Sequence, residues 1–136
     1  MKAVILAAGE GTRLRPITYY IPKPMIPFFD KPFLEYTLEN LAGLIDEIVL
    51  VVGYKKDQII RRFGNCFSSV PIRYVEQAHM KGTGAALLAA EDLLKDERRF
   101  LVIQGDVYAS KQLLEDLKRV DAENALSLVE VPDPEN

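Results

Sequence analysis

Ala3-Val4-Ile5-Leu6-Ala7-Ala8-Gly9-Glu10-Gly11-Thr12-Arg13-Leu14-Arg15-Pro16 is the stretch on which the fold turns. Ala3 to Leu6 is a short apolar run and reads as a buried strand. Gly9 and Gly11 then break the run. Glycine turns tightly and leaves its N–H open to a ligand, because no Cβ stands in the way. Successive N–H groups at such a turn form an anion-binding concavity. Arg13 and Arg15 add positive charge just beyond it, and arginine grips phosphate with a planar fork of donors. The stretch reads as a strand feeding a polyphosphate loop.

Two better-known phosphate loops are excluded. A P-loop ends in Gly-Lys-Ser/Thr, whereas Gly11 is followed by Thr12-Arg13. A dinucleotide fingerprint needs a third glycine, where this chain has Leu14, and an acid after the second strand, which here ends in Gly53-Tyr54. Downstream, Pro16, Pro22, Pro24, Pro27 and Pro32 crowd a segment without helical or alternating pattern. Long irregular loops in compact domains are functional or disordered. The apolar Ile21, Met25, Ile26, Phe28 and Phe29 argue against disorder. Lys23 lies between Pro22 and Pro24, and a following proline favours an extended backbone. A lysine stiffened on both sides is expected to face phosphate.

Outward from the loop, helices and strands alternate. Phe33 to Leu41 has helical apolar spacing. Glu47 to Val52 is a second strand, Lys55 to Phe63 a charged helix, and Gly64 its stop. Ile72 to Val75, Phe100 to Ile103 and Ala125 to Val131 are expected as strands three, four and five. Gly84 to Leu94 and Lys111 to Val120 are expected as helices. The pattern predicts helices packed on a mostly parallel sheet of about five strands. Such sheets bind ligands at the carboxyl ends of their strands, near the switch in strand order.

Two more loops at that edge carry chemistry. Gln77-Ala78-His79-Met80-Lys81-Gly82-Thr83-Gly84 follows strand three. Gln77 offers a donor and an acceptor, which suits a pyrimidine edge; Gly82 permits close approach. The structural alternative is a turn with Thr83 as helix N-cap. Gln104-Gly105-Asp106 ends strand four. A lone carboxylate there suits magnesium, which takes one or two carboxylates plus phosphate oxygens.

Composition bounds the function. The 136 residues fit one domain, 49% of them hydrophobic. A net charge of −3, from 17 basic and 20 acidic residues, gives no support to nucleic-acid binding. Cys66, the single cysteine, forms no internal disulfide and is expected as a small semi-buried thiol. His79 is the single histidine, without a triad setting. No run approaches the ~20 residues of a membrane span, and a cytoplasmic location is expected.

The combined motif, Gly9-x-Gly11-Thr12-Arg13-Leu14-x-Pro16, then Pro22-Lys23-Pro24-Met25-x-Pro27, then Lys31-Pro32, resembles the sugar nucleotidyltransferases. The resemblance covers the whole chain and about the N-terminal half of the usual catalytic domain. It implies a Rossmann-like three-layer α/β/α half-domain over residues 1–136. It implies nucleotidyl transfer from a nucleoside triphosphate to a sugar 1-phosphate with release of pyrophosphate. Arg13, Lys23 and Asp106 would carry the chemistry, Asp106 as the magnesium ligand. Leu6, Ala8, Gly9, Gly11, Thr12, Gln77, Gly82 and Thr83 would bind substrate, with Gln77 and Gly82 on the base. UTP or dTTP is expected, since a glutamine amide matches the N3–H and a carbonyl of uracil or thymine.

Some parts of the family pattern do not fall within these residues. The resemblance implies a second metal-binding aspartate and sugar-contacting glutamate and lysine motifs, which are expected past residue 136. An apolar sheet edge left uncovered, and hence self-association, is expected. Glu10 sits inside the phosphate loop and must point outward. Other readings are a nucleotide-binding half-domain without turnover, and a GTP and mannose 1-phosphate enzyme, which Pro-Lys-Pro-Met also resembles. A cofactor cytidylyltransferase is disfavoured by Pro-Lys-Pro.

Overall fold

The computed structural model describes residues 1–77 and 82–128. The apolar stretch that opens the chain is strand β1 (Lys2–Ala7), buried from Ala3 onward. A long irregular loop follows, with three single turns of 3-10 helix at Thr12–Leu14, Ile17–Tyr19 and Lys23–Met25. A tiny hairpin, β2 (Pro27–Phe28) and β3 (Lys31–Pro32), leads into helix α1 (Phe33–Leu41). Leu34, Leu38 and Leu41 recur at helical spacing along α1 and are buried. Then come β4 (Glu47–Val52) and α2 (Lys56–Phe63). Gly64 closes α2 with a φ of 61°, as its C-terminal position requires.

The second half holds β5 (Cys66–Phe67), β6 (Val70–Glu76), α3 (Thr83–Ala89), α4 (Glu91–Leu94), β7 (Phe100–Gln104) and α5 (Lys111–Arg119). The sheet order is β5-β6-β4-β1-β7. β6, β4, β1 and β7 are parallel, and β5 pairs antiparallel with β6. One face packs Ala3, Ile5, Ile48 and Leu50 against Leu34, Leu38, Ile59, Phe63 and Leu114 of α1, α2 and α5. The other packs Val4, Leu6, Val49 and Val51 against Ala86, Ala90 and Leu94 of the α3–α4 region. Both faces of a parallel sheet must be covered, and the central strands accordingly read as continuous apolar runs. The mostly parallel sheet expected from the alternation is present, in the three-layer α/β/α arrangement that the resemblance implies.

The order also locates the switch. β4 lies on one side of β1 and β7 on the other, so the connections diverge around β1. In register, Leu6 stands level with Val51 and Gln104. The glycine loop, Gly53 and Gly105-Asp106 therefore emerge together at the carboxyl edge.

Several details differ from expectation. Residues 125–128 form no regular element, and the remainder of the expected fifth strand lies outside the described residues. The fifth strand is instead β5, two residues that carry no readable periodicity. The helix expected over Gly84 to Leu94 breaks at Ala90, where φ −92° and ψ 1° leave the helical region. Gly82, not Thr83, is the N-cap of α3; its φ of 106° is open to glycine and strained for other residues. Lys23 is not extended. It opens a 3-10 turn closed by Met25 N–H on the Pro22 carbonyl at 2.8 Å and Ile26 N–H on that of Lys23 at 3.2 Å. Pro24 is tolerated because neither bond needs its missing N–H. Cys66 is exposed rather than semi-buried.

Candidate active site

At the carboxyl edge, between the glycine loop, the end of β7 and the start of α3, lies a cavity of about 310 Å³. Leu6, Ala8, Gly9, Gly11, Thr12, Arg13, Lys23, Gln77, Gly82, Thr83 and Asp106 all line it. Residues from four separate stretches of sequence thus meet at one place. His79 lies outside the described residues.

The glycines have different jobs. A Cβ on Gly9 would meet nothing within 4 Å, so its neighbourhood is open to a ligand. Gly11 is left-handed at φ 62°, and a Cβ there would stand 3.0 Å from Thr18 Cγ2 and 3.2 Å from Lys23 Cβ. Gly105 makes room for the backbone of β1. A Cβ would lie 2.8 Å from the Leu6 carbonyl oxygen, which already accepts the Gly105 N–H at 2.9 Å. Asp106 is thereby held against the end of β1, facing the loop.

Lys23 and Asp106 form an ion pair. Their side chains are 38% and 37% exposed, so both reach the cavity from its wall. Arg13 lines the cavity, but Arg15 does not. The Arg15 guanidinium lies over the Tyr19 ring at 5.0 Å and within 3.5 Å of the Glu10 carboxylate. Glu10 is accordingly turned away from the lining, as its charge requires. Lys31 is also drawn off. It donates to both Glu39 oxygens at 2.6 Å, and that bond raises its pKa above the ordinary lysine value. On the far side, Gln77 N–H bonds the Val52 carbonyl at 2.9 Å, and its side-chain nitrogen stands 3.4 Å from the Gly82 carbonyl.

Sequence reasoning missed part of the lining: Ala7, Leu14, Pro24, Ala86 and Gln104. Gln104 had a signal, since it ends the strand that delivers Asp106. Leu14, Lys23 and Asp106 also border a smaller apolar cavity of about 200 Å³ beside Ile26, Pro27, Phe28 and Phe33.

The model of the family described as nucleotidyl transferase matches residues 2–136. The chain belongs to the nucleotidyl transferase family. Among curated proteins it is 45% identical to the bifunctional protein GlmU of Methanocaldococcus jannaschii, over 100% of this chain and 31% of that protein. It is 40% identical to the UTP–glucose-1-phosphate uridylyltransferase AglF of Haloferax volcanii, over 98% of this chain and 55% of that protein. It is 35% identical to a mannose-1-phosphate guanyltransferase of Emericella nidulans, over 98% and 39%. A solved UDP-glucose pyrophosphorylase complexed with UDP-glucose superposes with a TM-score of 0.71 at 29% identity, covering 87% of this chain and 53% of that one. The chain therefore spans about a third to a half of the proteins it resembles. Nucleotidyl transferase membership agrees with the motif, and the superposition agrees with the α/β/α layers.

Proposed function

We propose that this chain forms the nucleotide-binding side of a sugar-1-phosphate nucleotidyltransferase. The observation that carries this reading is the meeting of Arg13, Lys23, Asp106 and the glycine loop in one cavity at the sheet switch, with Gln77 and Gly82 opposite. In the reaction, a phosphate oxygen of the sugar 1-phosphate attacks the α-phosphorus of a nucleoside triphosphate. The bond from that phosphorus to the pyrophosphate breaks, giving an NDP-sugar and pyrophosphate. The attacking oxygen is ionised near neutral pH, so no general base is required. Catalysis then rests on position and charge. Lys23 neutralises the α-phosphoryl oxygens. Arg13 and the loop N–H groups of Gly9 to Gly11 hold the leaving pyrophosphate, while Gln77 and Gly82 take the base.

Asp106 is the one carboxylate among the described residues lining the cavity, and no group of three or more ligating side chains occurs among them. A single hard oxygen donor fits magnesium, which completes its shell with water and phosphate oxygens. Magnesium bound there would supply charge neutralisation and polarisation at phosphorus.

UTP or dTTP is the expected nucleotide, because Gln77 can match the N3–H and a carbonyl together. Cytosine lacks that N3–H. GTP is the rival, favoured by the guanyltransferase relative. Titration of UTP, dTTP, CTP, ATP and GTP with magnesium decides the matter. Mismatched bases should bind weakly, because they leave polar groups of the site unsatisfied. Tightest binding of GTP would leave Gln77 without its role. Isotope exchange of pyrophosphate into the triphosphate, with sugar phosphate present, separates an enzyme from a silent nucleotide-binding module.

The same reading places the protein in the cytoplasm, with its triphosphate. No described helix is long and apolar enough to cross a membrane. Among the described residues β7 is a sheet edge, and Phe100 and Val102 on it are exposed. Unpaired apolar edges favour association, so light scattering is expected to report self-association. A strict monomer that binds no apolar dye would contradict this.

A further inference from the structure

Thr18 and Tyr54 belong to none of the stretches read as substrate-binding. Thr18 is a polar residue only 1% exposed. Its hydroxyl donates to the Gly11 carbonyl at 2.8 Å, which also accepts the Leu14 N–H at 2.9 Å. Tyr54 follows β4 and reaches the loop twice. Its N–H donates to the Ala8 carbonyl at 3.2 Å, and its hydroxyl donates to the Thr18 carbonyl at 2.7 Å. Gly53 makes the first contact feasible: a Cβ there would stand 3.0 Å from the Ala8 oxygen.

Two loop peptides therefore have their carbonyls held from behind, Ala8–Gly9 and Gly11–Thr12. In a planar trans peptide the N–H points opposite the C=O. Fixing those carbonyls turns the N–H of Gly9 and of Thr12 away from Tyr54 and Thr18. Gly9 and Thr12 both line the cavity. We propose that Thr18 and Tyr54 are positioning residues that aim the loop N–H groups at the pyrophosphate portion of the nucleotide. This inference rests on the nucleotide-binding reading of the cavity. Neither residue lines the cavity; both act through the backbone of Ala8 and Gly11. Donors arranged before the ligand arrives need no reorganisation when charge develops on it.

The test is calorimetric titration of wild type, Thr18→Val, Thr18→Ser and Tyr54→Phe with magnesium UTP, inorganic pyrophosphate and UMP, each variant also melted thermally. Thr18→Val keeps the shape and removes the donor. Affinity for UTP and pyrophosphate is expected to fall about 3- to 10-fold, the range of one lost hydrogen bond. UMP should bind within two-fold of wild type, and Thr18→Ser should restore pyrophosphate affinity. Tyr54→Phe keeps the N–H on the Ala8 carbonyl but removes the hydroxyl that holds the Thr18 backbone. It should give the same selective loss by loosening Thr18, and it carries the test if Thr18→Val does not fold. A residue that merely stabilised the fold would weaken UMP and pyrophosphate alike, which would overturn the proposal. Unchanged pyrophosphate affinity in both variants, beside a wild type that binds, overturns this inference alone. A wild type that binds neither UTP nor pyrophosphate overturns it together with the nucleotide reading.

Discussion

Replacing Lys23 by alanine is expected to lower turnover by ~10²-fold or more, the scale of losing one preorganised donor from a site where charge develops. Lys23 opens a turn pinned by two backbone hydrogen bonds, so its ammonium is presented from a fixed base. Alanine keeps the Cβ that faces Gly11 and disturbs little packing. The Lys23–Asp106 pair is more than a third exposed on both sides, and such pairs contribute about 0–1 kcal/mol. The melting temperature should therefore hold while turnover collapses. Pyrophosphate exchange by the proposed nucleotidyltransferase measures the first, and a thermal melt the second. Near-normal exchange would remove Lys23 from the chemistry. Loss of exchange together with the fold would mark it as structural.

Much of the architecture was legible because its signals are local. β1, β4 and α1 declare themselves through unbroken apolar runs or helical spacing, and their bounds fall where glycine and proline interrupt them. The cavity was legible because Gly9, Gly11, Lys23, Gln77 and Asp106 sit at strand ends or between prolines, where a plain core residue has no reason to be. What escaped has few residues or depends on competition. β5 is two residues long and exists because β6 offers an edge. The break at Ala90 lies in an alanine- and leucine-rich run that favours helix throughout. Arg13 and Arg15 look alike in sequence, yet the Glu10 carboxylate and the Tyr19 ring draw Arg15 off. Thr18 sits in a loop without periodicity, so nothing marks it as buried. Its role becomes visible only when Gly11 and Tyr54 are seen on either side.

Replacing Asp106 by asparagine is expected to weaken nucleotide binding with metal and not without it. With magnesium, nucleotide affinity should fall by at least the ~10–100-fold that alteration of a metal's outer-shell partners costs. Asparagine keeps the shape of the side chain but loses the charge that a hard cation requires. Without metal, the same change releases the Lys23 ammonium from its carboxylate partner. It also removes a negative charge from the wall of a cavity that already holds Arg13. Metal-free triphosphate should then bind as well as in wild type or up to about five-fold better, since a half-exposed pair is worth at most about 1 kcal/mol. Gly105 and its bond to the Leu6 carbonyl are untouched, so the end of β7 should stay in place. Titration of the triphosphate with magnesium and with a chelator gives both numbers. Equal losses in the two titrations would make Asp106 a turn residue and leave the metal without its ligand.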